Sequence, residues 1–244
     1  MYIYKEKYKL DKINSSEILT YIHLGIGDHI ICNGLINELT NRFKYIHLPV
    51  KKPHMQNIRY LYKNNPKVKV FQIEHLSEIK DIKQYAKKNR LEVLKIGFKK
   101  RKPPFNVSFY EQLNFDYSVS YEAFKLPHEQ NKEKLLTEHL MNHFGIKNNF
   151  QLVHNESSFG KTDLKINTEL RPIFVNKETD IFNNIFYYKN IISLADEIHC
   201  LDSSFLHLVE RVPTEGKLFF HEIKKVNHKA AKVYLTKNWK RISY

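Results

Sequence analysis

Three short stretches of the chain carry side chains suited to holding or transforming an anionic substrate. The first is Leu24-Gly25-Ile26-Gly27-Asp28-His29-Ile30, between a β-rich apolar run, Glu17–Leu24, and a run with helical apolar spacing, Ile30–Phe43. Gly25 and Gly27 permit positive φ and let a ligand approach the backbone. The N–H groups that open a helix favour anions, and Asp28 either caps that helix or presents a carboxylate. The second stretch is Asp202-Ser203-Ser204-Phe205-Leu206-His207, where an apolar strand, Glu197–Leu201, gives way to a helix, Ser203–Arg211. Hydroxyls and N–H groups at such a junction can cradle a diphosphate, with His207 one turn further on. The third is His154-Asn155-Glu156-Ser157-Ser158-Phe159-Gly160-Lys161, a strand end running into a polar loop whose hydroxyls and ammonium suit phosphate oxygens. Each stretch also has a plain structural reading: a capped turn, an N-cap box around a half-buried His, or a surface loop.

Competing chemistries find less support. A dinucleotide fingerprint would put a third glycine at position 30, where Ile stands, and an acidic residue after the strand Tyr45–Leu48, where Pro49-Val50-Lys51 follows. A metal set of His199, Asp202 and His207 would need a strand residue and a helix residue to converge. No Asp-x-Asp occurs in the chain, which argues against a metal-bridged sugar transfer. Two cysteines, Cys32 and Cys200, make neither a disulfide framework nor a zinc ligand set, and a reducing cytosol suits them.

The elements that must position these stretches alternate. Tyr45–Leu48, Val68–Ile73 and Leu91–Ile96 read as strands, with helices over His54–Lys63 and Leu76–Lys88 between them. A basic, proline-containing loop follows at Gly97–Asn106, and then helices at Phe109–Asn114 and Lys132–Phe144, with Gly145 as a C-cap. A second series follows: strands Phe150–His154, Arg171–Val175, Glu197–Leu201 and Lys217–Phe220, with a helix over Asn183–Ala195. This βα alternation predicts parallel sheets covered by helices. The boundary is expected near residues 145–150, giving domains 1–147 and 148–244, the second ending in a basic tail over 222–244.

The 244 residues include 40 Lys plus Arg against 26 Asp plus Glu, a net charge of +14. Such a surplus suits anionic partners. Only seven of the 40 are Arg, however, and base-edge readers favour the Arg fork. The densest runs are Lys99–Lys102, Lys51–Lys52 and Lys224–Lys225, and no nucleic-acid motif accompanies them. No apolar stretch reaches the roughly 20 residues of a spanning helix, and Met1–Leu10 has no apolar core of a signal peptide.

Taken together the three junctions resemble those of GT-B-type glycosyltransferases, most closely the heptosyltransferase-like group with its small bacterial and viral relatives. In that group a Gly-Asp pair opens the first long helix and its Asp serves as catalytic base; Gly27-Asp28 matches it. A C-terminal Asp-Thr-Gly-Leu-x-His-like turn at the donor diphosphate is matched by Asp202 and His207, with Ser204 where the group has Gly. The resemblance implies an α/β fold of two Rossmann-like lobes facing a cleft, a compact GT-B. It implies an acceptor-side N-terminal domain and a nucleotide-sugar-binding C-terminal domain. It further implies a metal-independent, inverting transfer of a hexosyl or heptosyl group to a glycan or lipid-linked acceptor, of the kind used in polysaccharide biosynthesis. Asp28 would be catalytic; Gly25, Gly27, His154, Ser157, Ser158, Lys161, Asp202, Ser203, Ser204 and His207 would bind the donor. No cofactor is expected, since the nucleotide sugar is the substrate. The expected location is cytoplasmic, with peripheral contact at the inner membrane face through the basic surface as an extension. A non-catalytic nucleotide- or polyanion-binding protein on the same fold is the alternative, and specific nucleic-acid binding is less favoured.

Overall fold

Short β-branched and aromatic runs joined by helices can pair only in parallel, because each connection returns the chain to the same end of the sheet. In the computed structural model of the protein, which describes residues 4–98, 104–157, 160–223 and 232–244, two such sheets form, each of five parallel strands. The chain divides into two units, Met1–Pro127 and His128–Tyr244, with one sheet in each.

The first sheet contains β1 (Glu6–Lys7), β2 (Glu17–Tyr21), β3 (Tyr45–Lys51), β4 (Val68–Ile73) and β5 (Glu92–Lys95) in the order β1-β5-β2-β3-β4. The chain runs outward from β2 to β3 and β4, then crosses back to place β5 on the other side of β2. That reversal falls between β2 and β5, and the region beyond their carboxyl ends is the usual ligand position in open α/β sheets. Ile18, Leu19, Val93 and Leu94 at its centre are 0% exposed, as strands covered on both faces require. The helices are α1 (Ile26–Ile31), α2 (Asn33–Arg42), α3 (Met55–Leu61), α4 (Glu78–Asn89), α5 (Phe105–Glu111) and α6 (Val119–Glu122).

The helix expected over Ile30–Phe43 is two helices, α1 and α2, meeting at Cys32. The cause is Tyr110 on α5. Its hydroxyl donates to the Ile31 carbonyl at 2.7 Å and accepts the Leu35 N–H at 3.2 Å, standing between the two groups that would bond directly in a straight helix. Gly34 then lets α2 press against α6, where a Cβ would sit 2.3 Å from the Val119 carbonyl oxygen.

The second unit opens with α7 (Gln130–His143), followed by β6 (Phe150–His154), a small antiparallel pair β7 (Glu156–Ser157) and β8 (Gly160–Lys161), β9 (Arg171–Phe174), α8 (Lys189–Leu194), β10 (Glu197–Cys200), α9 (Ser204–Val209), β11 (Lys217–Glu222) and β12 (Trp239–Ser243). The sheet order is β12-β11-β10-β6-β9, so the reversal falls between β6 and β10. The division of the chain precedes α7, not residues 145–150. α7 packs on the second unit through Lys132 Nζ to Tyr187 Oη at 3.1 Å and Asn190 Nδ2 to Thr137 Oγ1 at 3.0 Å. The helix expected over Asn183–Ala195 is a 3-10 turn, Ile185–Tyr188, capped by the Asn184 side chain, and then α8.

The expected basic tail contains β12. Glu210, just past α9 and 2% exposed, accepts from the Thr236 N–H, from Thr236 Oγ1 at 2.9 Å, from the Lys237 N–H at 3.2 Å and from Trp239 Nε1. These bonds lead Trp239–Ser243 in beside β11. Lys99–Lys102 and Lys224–Lys225 lie outside the described residues. Among the described residues no helix is long and apolar enough to cross a membrane.

Candidate functional site

In the first unit the candidate base follows β2 at the reversal point. Asp28 lies in the first turn of α1, half-buried, and its Oδ2 accepts the Gly25 N–H at 3.2 Å. Neither glycine uses positive φ: Gly25 is extended at φ −79° and Gly27 is helical. A Cβ at Gly25 would come 2.9 Å from Asp28 Oδ2, so a larger residue there would push that carboxylate out of its present place. At the neighbouring strand end Gly97, after β5, does adopt positive φ (81°). His23 joins the two strand ends: its Nε2 lies 3.0 Å from the Gly97 carbonyl oxygen, and its ring stacks on Phe98 at 4.3 Å between centroids. Beside Asp28, His29 is fully buried, and neither ring nitrogen has a hydrogen-bond partner within the protein. Burial, helped by the nearby His54, pushes its pKa down to about 3, so the imidazole is neutral at pH 7.

In the second unit the structure brings the second and third junctions side by side. Cys200 of β10 is in register with His154 of β6, and the Leu201 N–H donates to the His154 carbonyl at 3.2 Å. His154 Nδ1 lies 3.1 Å from Ser203 Oγ, and the His154 ring stacks on Phe205 with centroids 5.2 Å apart. Ser203 caps α9 by accepting the Leu206 N–H at 3.4 Å, and Ser204 opens the helix half-buried. His207 is 4% exposed; its Nε2 is 3.8 Å from Asp202 Oδ1, close but beyond hydrogen-bond length. Burial pushes His154 down to about 4; burial and then Arg211 push His207 down to about 3. Both rings are therefore neutral at pH 7 and would act on a phosphate as hydrogen-bonding groups, not as cations.

The remaining candidates sit just beyond β6. Ser157 pairs with Gly160 and Glu156 with Lys161 in the β7–β8 ribbon. Lys161 is exposed, its Nζ 5.9 Å from the Phe174 ring centroid. Ser158 lies outside the described residues. His199 does not join Asp202 and His207; its Nδ1 lies 3.0 Å from His221 Nε2. Among the described residues no group of three His, Cys, Asp or Glu side chains could hold a metal ion.

Sequence reading passed over Asp180 and Tyr188. Tyr188 packs edge-on against Phe205 at 5.7 Å, behind the His154 ring, and Asp180 is close enough to add to the rise that burial gives the Tyr188 hydroxyl pKa. Their local signal is a turn, Thr-Asp-Ile-Phe-Asn-Asn, with nothing in it to suggest a neighbour on β6.

No protein-family model matches the sequence, and no curated protein sequence matches it either. The fold does have solved counterparts. The glycosyl transferase family 9 structure from Veillonella parvula DSM 2008 superposes with a TM-score of 0.53 at 8% identity, over 93% of this chain and 85% of that one. E. coli ADP-heptose lps heptosyltransferase II superposes with a TM-score of 0.51 at 12% identity, over 93% of this chain and 90% of that one. The chain has the fold of these glycosyltransferases. The expected α/β architecture of two Rossmann-like parallel-sheet units is thus present, and both structural neighbours come from the group that Gly27-Asp28 and Asp202–His207 resemble.

Proposed function

We propose that the protein is a glycosyltransferase that moves a sugar from a nucleotide-sugar donor to a hydroxyl of a glycan or lipid-linked saccharide, with inversion and without a metal ion or cofactor. The observation that carries this reading is the adjacency of His154, Ser203 and Asp202 at the carboxyl ends of β6 and β10, where the second sheet reverses its order. Likeness of fold to two glycosyltransferases supports it.

In this mechanism Asp28 takes the proton of the acceptor hydroxyl. The acceptor oxygen bonds to the anomeric carbon as the bond from that carbon to the diphosphate oxygen breaks, and the nucleoside diphosphate leaves with the electron pair. Ser203 and Ser204 donate hydrogen bonds to the departing phosphate, and the Lys161 ammonium supplies the positive charge. His154 orients the Ser203 hydroxyl, and Gly25 admits the Asp28 carboxylate to its cap.

The test is a thermal-shift screen of the purified protein against UDP, GDP, ADP and CMP sugars, followed by product analysis with any sugar that binds. A bound donor raises the melting temperature, because it stabilises the native state alone. If no nucleotide sugar shifts melting, the reading fails. Binding with neither hydrolysis nor transfer would make this a nucleotide-binding protein on a transferase fold.

A further inference from the structure

One face of the second sheet holds a buried hydrogen-bonded chain that the proposed chemistry leaves unused. His199 on β10 and His221 on β11 are 2% and 1% exposed. His199 Nδ1 lies 3.0 Å from His221 Nε2, and His221 Nδ1 lies 2.8 Å from Tyr244 Oη. Tyr244 Oη also accepts the backbone N–H of Lys165. At the other end His199 Nε2 stands 3.7 Å from a Glu197 carboxylate oxygen. The His199 ring lies flat on Phe219, 4.4 Å between centroids and 3° from parallel.

One arrangement of protons satisfies the chain from the Lys165 N–H to His199 Nδ1. Lys165 N–H donates to Tyr244 Oη, and the Tyr244 O–H donates to His221 Nδ1. His221 Nε2–H donates to His199 Nδ1, which leaves the His199 proton on Nε2, facing Glu197. Both imidazoles are then neutral, as the buried position demands.

The chain ends on a segment that matters to the proposed site. Residues 162–170 follow Lys161 directly without regular secondary structure, with half-buried Thr162, Leu164, Ile166 and Thr168 alternating with exposed neighbours. The near end is tied by the Thr162 N–H to the Asn155 carbonyl at 2.9 Å, and the far end by Gln151 Nε2 to the Leu170 carbonyl at 2.7 Å. Tyr244 ties the middle, through the Lys165 N–H and through its ring, 4.7 Å from Lys165 Nζ.

We propose that Tyr244, His221 and His199 form a latch that holds residues 162–170 against the second unit, positions Lys161 for the donor diphosphate, and opens in acid. The positioning part rests on the donor role proposed above for Lys161. A proton added to His221 leaves it donating from both nitrogens, so it can no longer accept from Tyr244; the Tyr244 O–H loses its acceptor, and its oxygen faces two N–H donors, from His221 and Lys165, at once. Burial, with His199 beside it, pushes His221 down to about 4, so the latch is closed at pH 7. The charged groups around the pair are Glu197, its partner Lys217 at 3.6 Å, Lys240 at 5.9 Å from the Phe219 ring centroid, and Lys165 on the segment. Only Glu197 favours the charged imidazole; the three lysines oppose it. Stability from the latch is complete above the ordinary His value of 6.5 and is lost as pH falls towards 4.

The test uses the full chain, ¹⁵N-labelled, and the variant Tyr244→Phe, which keeps the ring and removes only the hydroxyl. In the wild type the amide signals of residues 162–168 should move together between pH 6.5 and 4. In Tyr244→Phe they should already occupy the acid position at pH 7.5 and not titrate. With ADP and UDP as probes, the variant should bind the preferred diphosphate about threefold to tenfold more weakly at pH 7.5, as expected if Lys161 is in place for only a fraction of the time. Unchanged amide signals in the variant, or no titration in the wild type, overturn the latch. A released segment with unaltered diphosphate affinity overturns its link to Lys161. If the wild type binds neither probe, GDP and CMP replace them; if it binds none of the four, the donor reading fails by itself, and the latch stands or falls on the amide signals.

Discussion

Asp28→Asn separates the two roles that Asp28 can have. As a cap, the carboxylate accepts the Gly25 N–H through Oδ2 at 3.2 Å. Asparagine keeps an oxygen in that place, so the helix start survives. What is lost is the negative charge in the first turn of α1, which contributes about 0.3–1 kcal/mol at a surface helix. As a general base, the same change removes the proton acceptor. General-base catalysis contributes about 10²–10⁴-fold, or about 2.7–5.4 kcal/mol of barrier. The expected outcome is a fall in urea stability of less than ~1 kcal/mol, a transfer rate lower by about 10²-fold or more, and nearly unchanged nucleoside diphosphate affinity. Transfer is read as nucleoside diphosphate released from the donor that the wild type accepts. Asp28→Asn turning over within about threefold of the wild type would refute the base assignment. A stability loss of ~2 kcal/mol would refute the capping argument, since it would mean that charge, not the hydrogen bond, holds α1.

Three further outcomes follow from buried polar groups. Tyr110→Phe strands the Ile31 carbonyl and the Leu35 N–H and should cost about 2–4 kcal/mol in urea unfolding; a loss under ~1 kcal/mol would mean the helix recloses across Cys32. His29→Leu removes an imidazole with two unpartnered nitrogens and should leave stability unchanged or raise it by about 1–2 kcal/mol. It should also flatten the acid limb: His29 is held down to about 3, the unfolded chain binds its proton from about 6.5, and stability falls by about 1.4 kcal/mol per pH unit between those values. Identical urea midpoints from pH 6.5 to 4.5 in wild type and variant would contradict this. His207→Ala should weaken nucleoside diphosphate binding measured by calorimetry, and an unchanged affinity would remove His207 from the site.

The elements most legible in sequence were those with strong local period and punctuation. Val68–Ile73 and Phe150–His154 run as expected, because an apolar run bounded by turn residues leaves one solution. The Gly-Asp helix start and the Asp202–His207 turn were also legible, since both are local. What escaped depends on distant partners. The break at Cys32 is made by a hydroxyl from α5, far along the chain, and nothing between Ile30 and Phe43 announces it. β12 reads as a charged tail until Glu210 gathers Thr236, Lys237 and Trp239. His154 reads as the end of a strand that opens into a polar loop; its meeting with Ser203 needs β6 and β10 side by side, which sheet order alone decides. Gly25 was noticed for a conformational freedom it does not use; what distinguishes it is the room it leaves beside the Asp28 carboxylate.

Glu210 also sets an order on biosynthesis. A ribosome delivers α9 and its acid before Thr236–Trp239 exists, so the nascent second unit carries a carboxylate that still lacks the hydrogen bonds of Thr236, Lys237 and Trp239. α9 begins at Ser203 and Ser204, the hydroxyls to which the proposed function assigns the donor diphosphate. The packing around the end of that helix is therefore completed only when residues 236–239 reach Glu210, so the two ends of the second unit mature together.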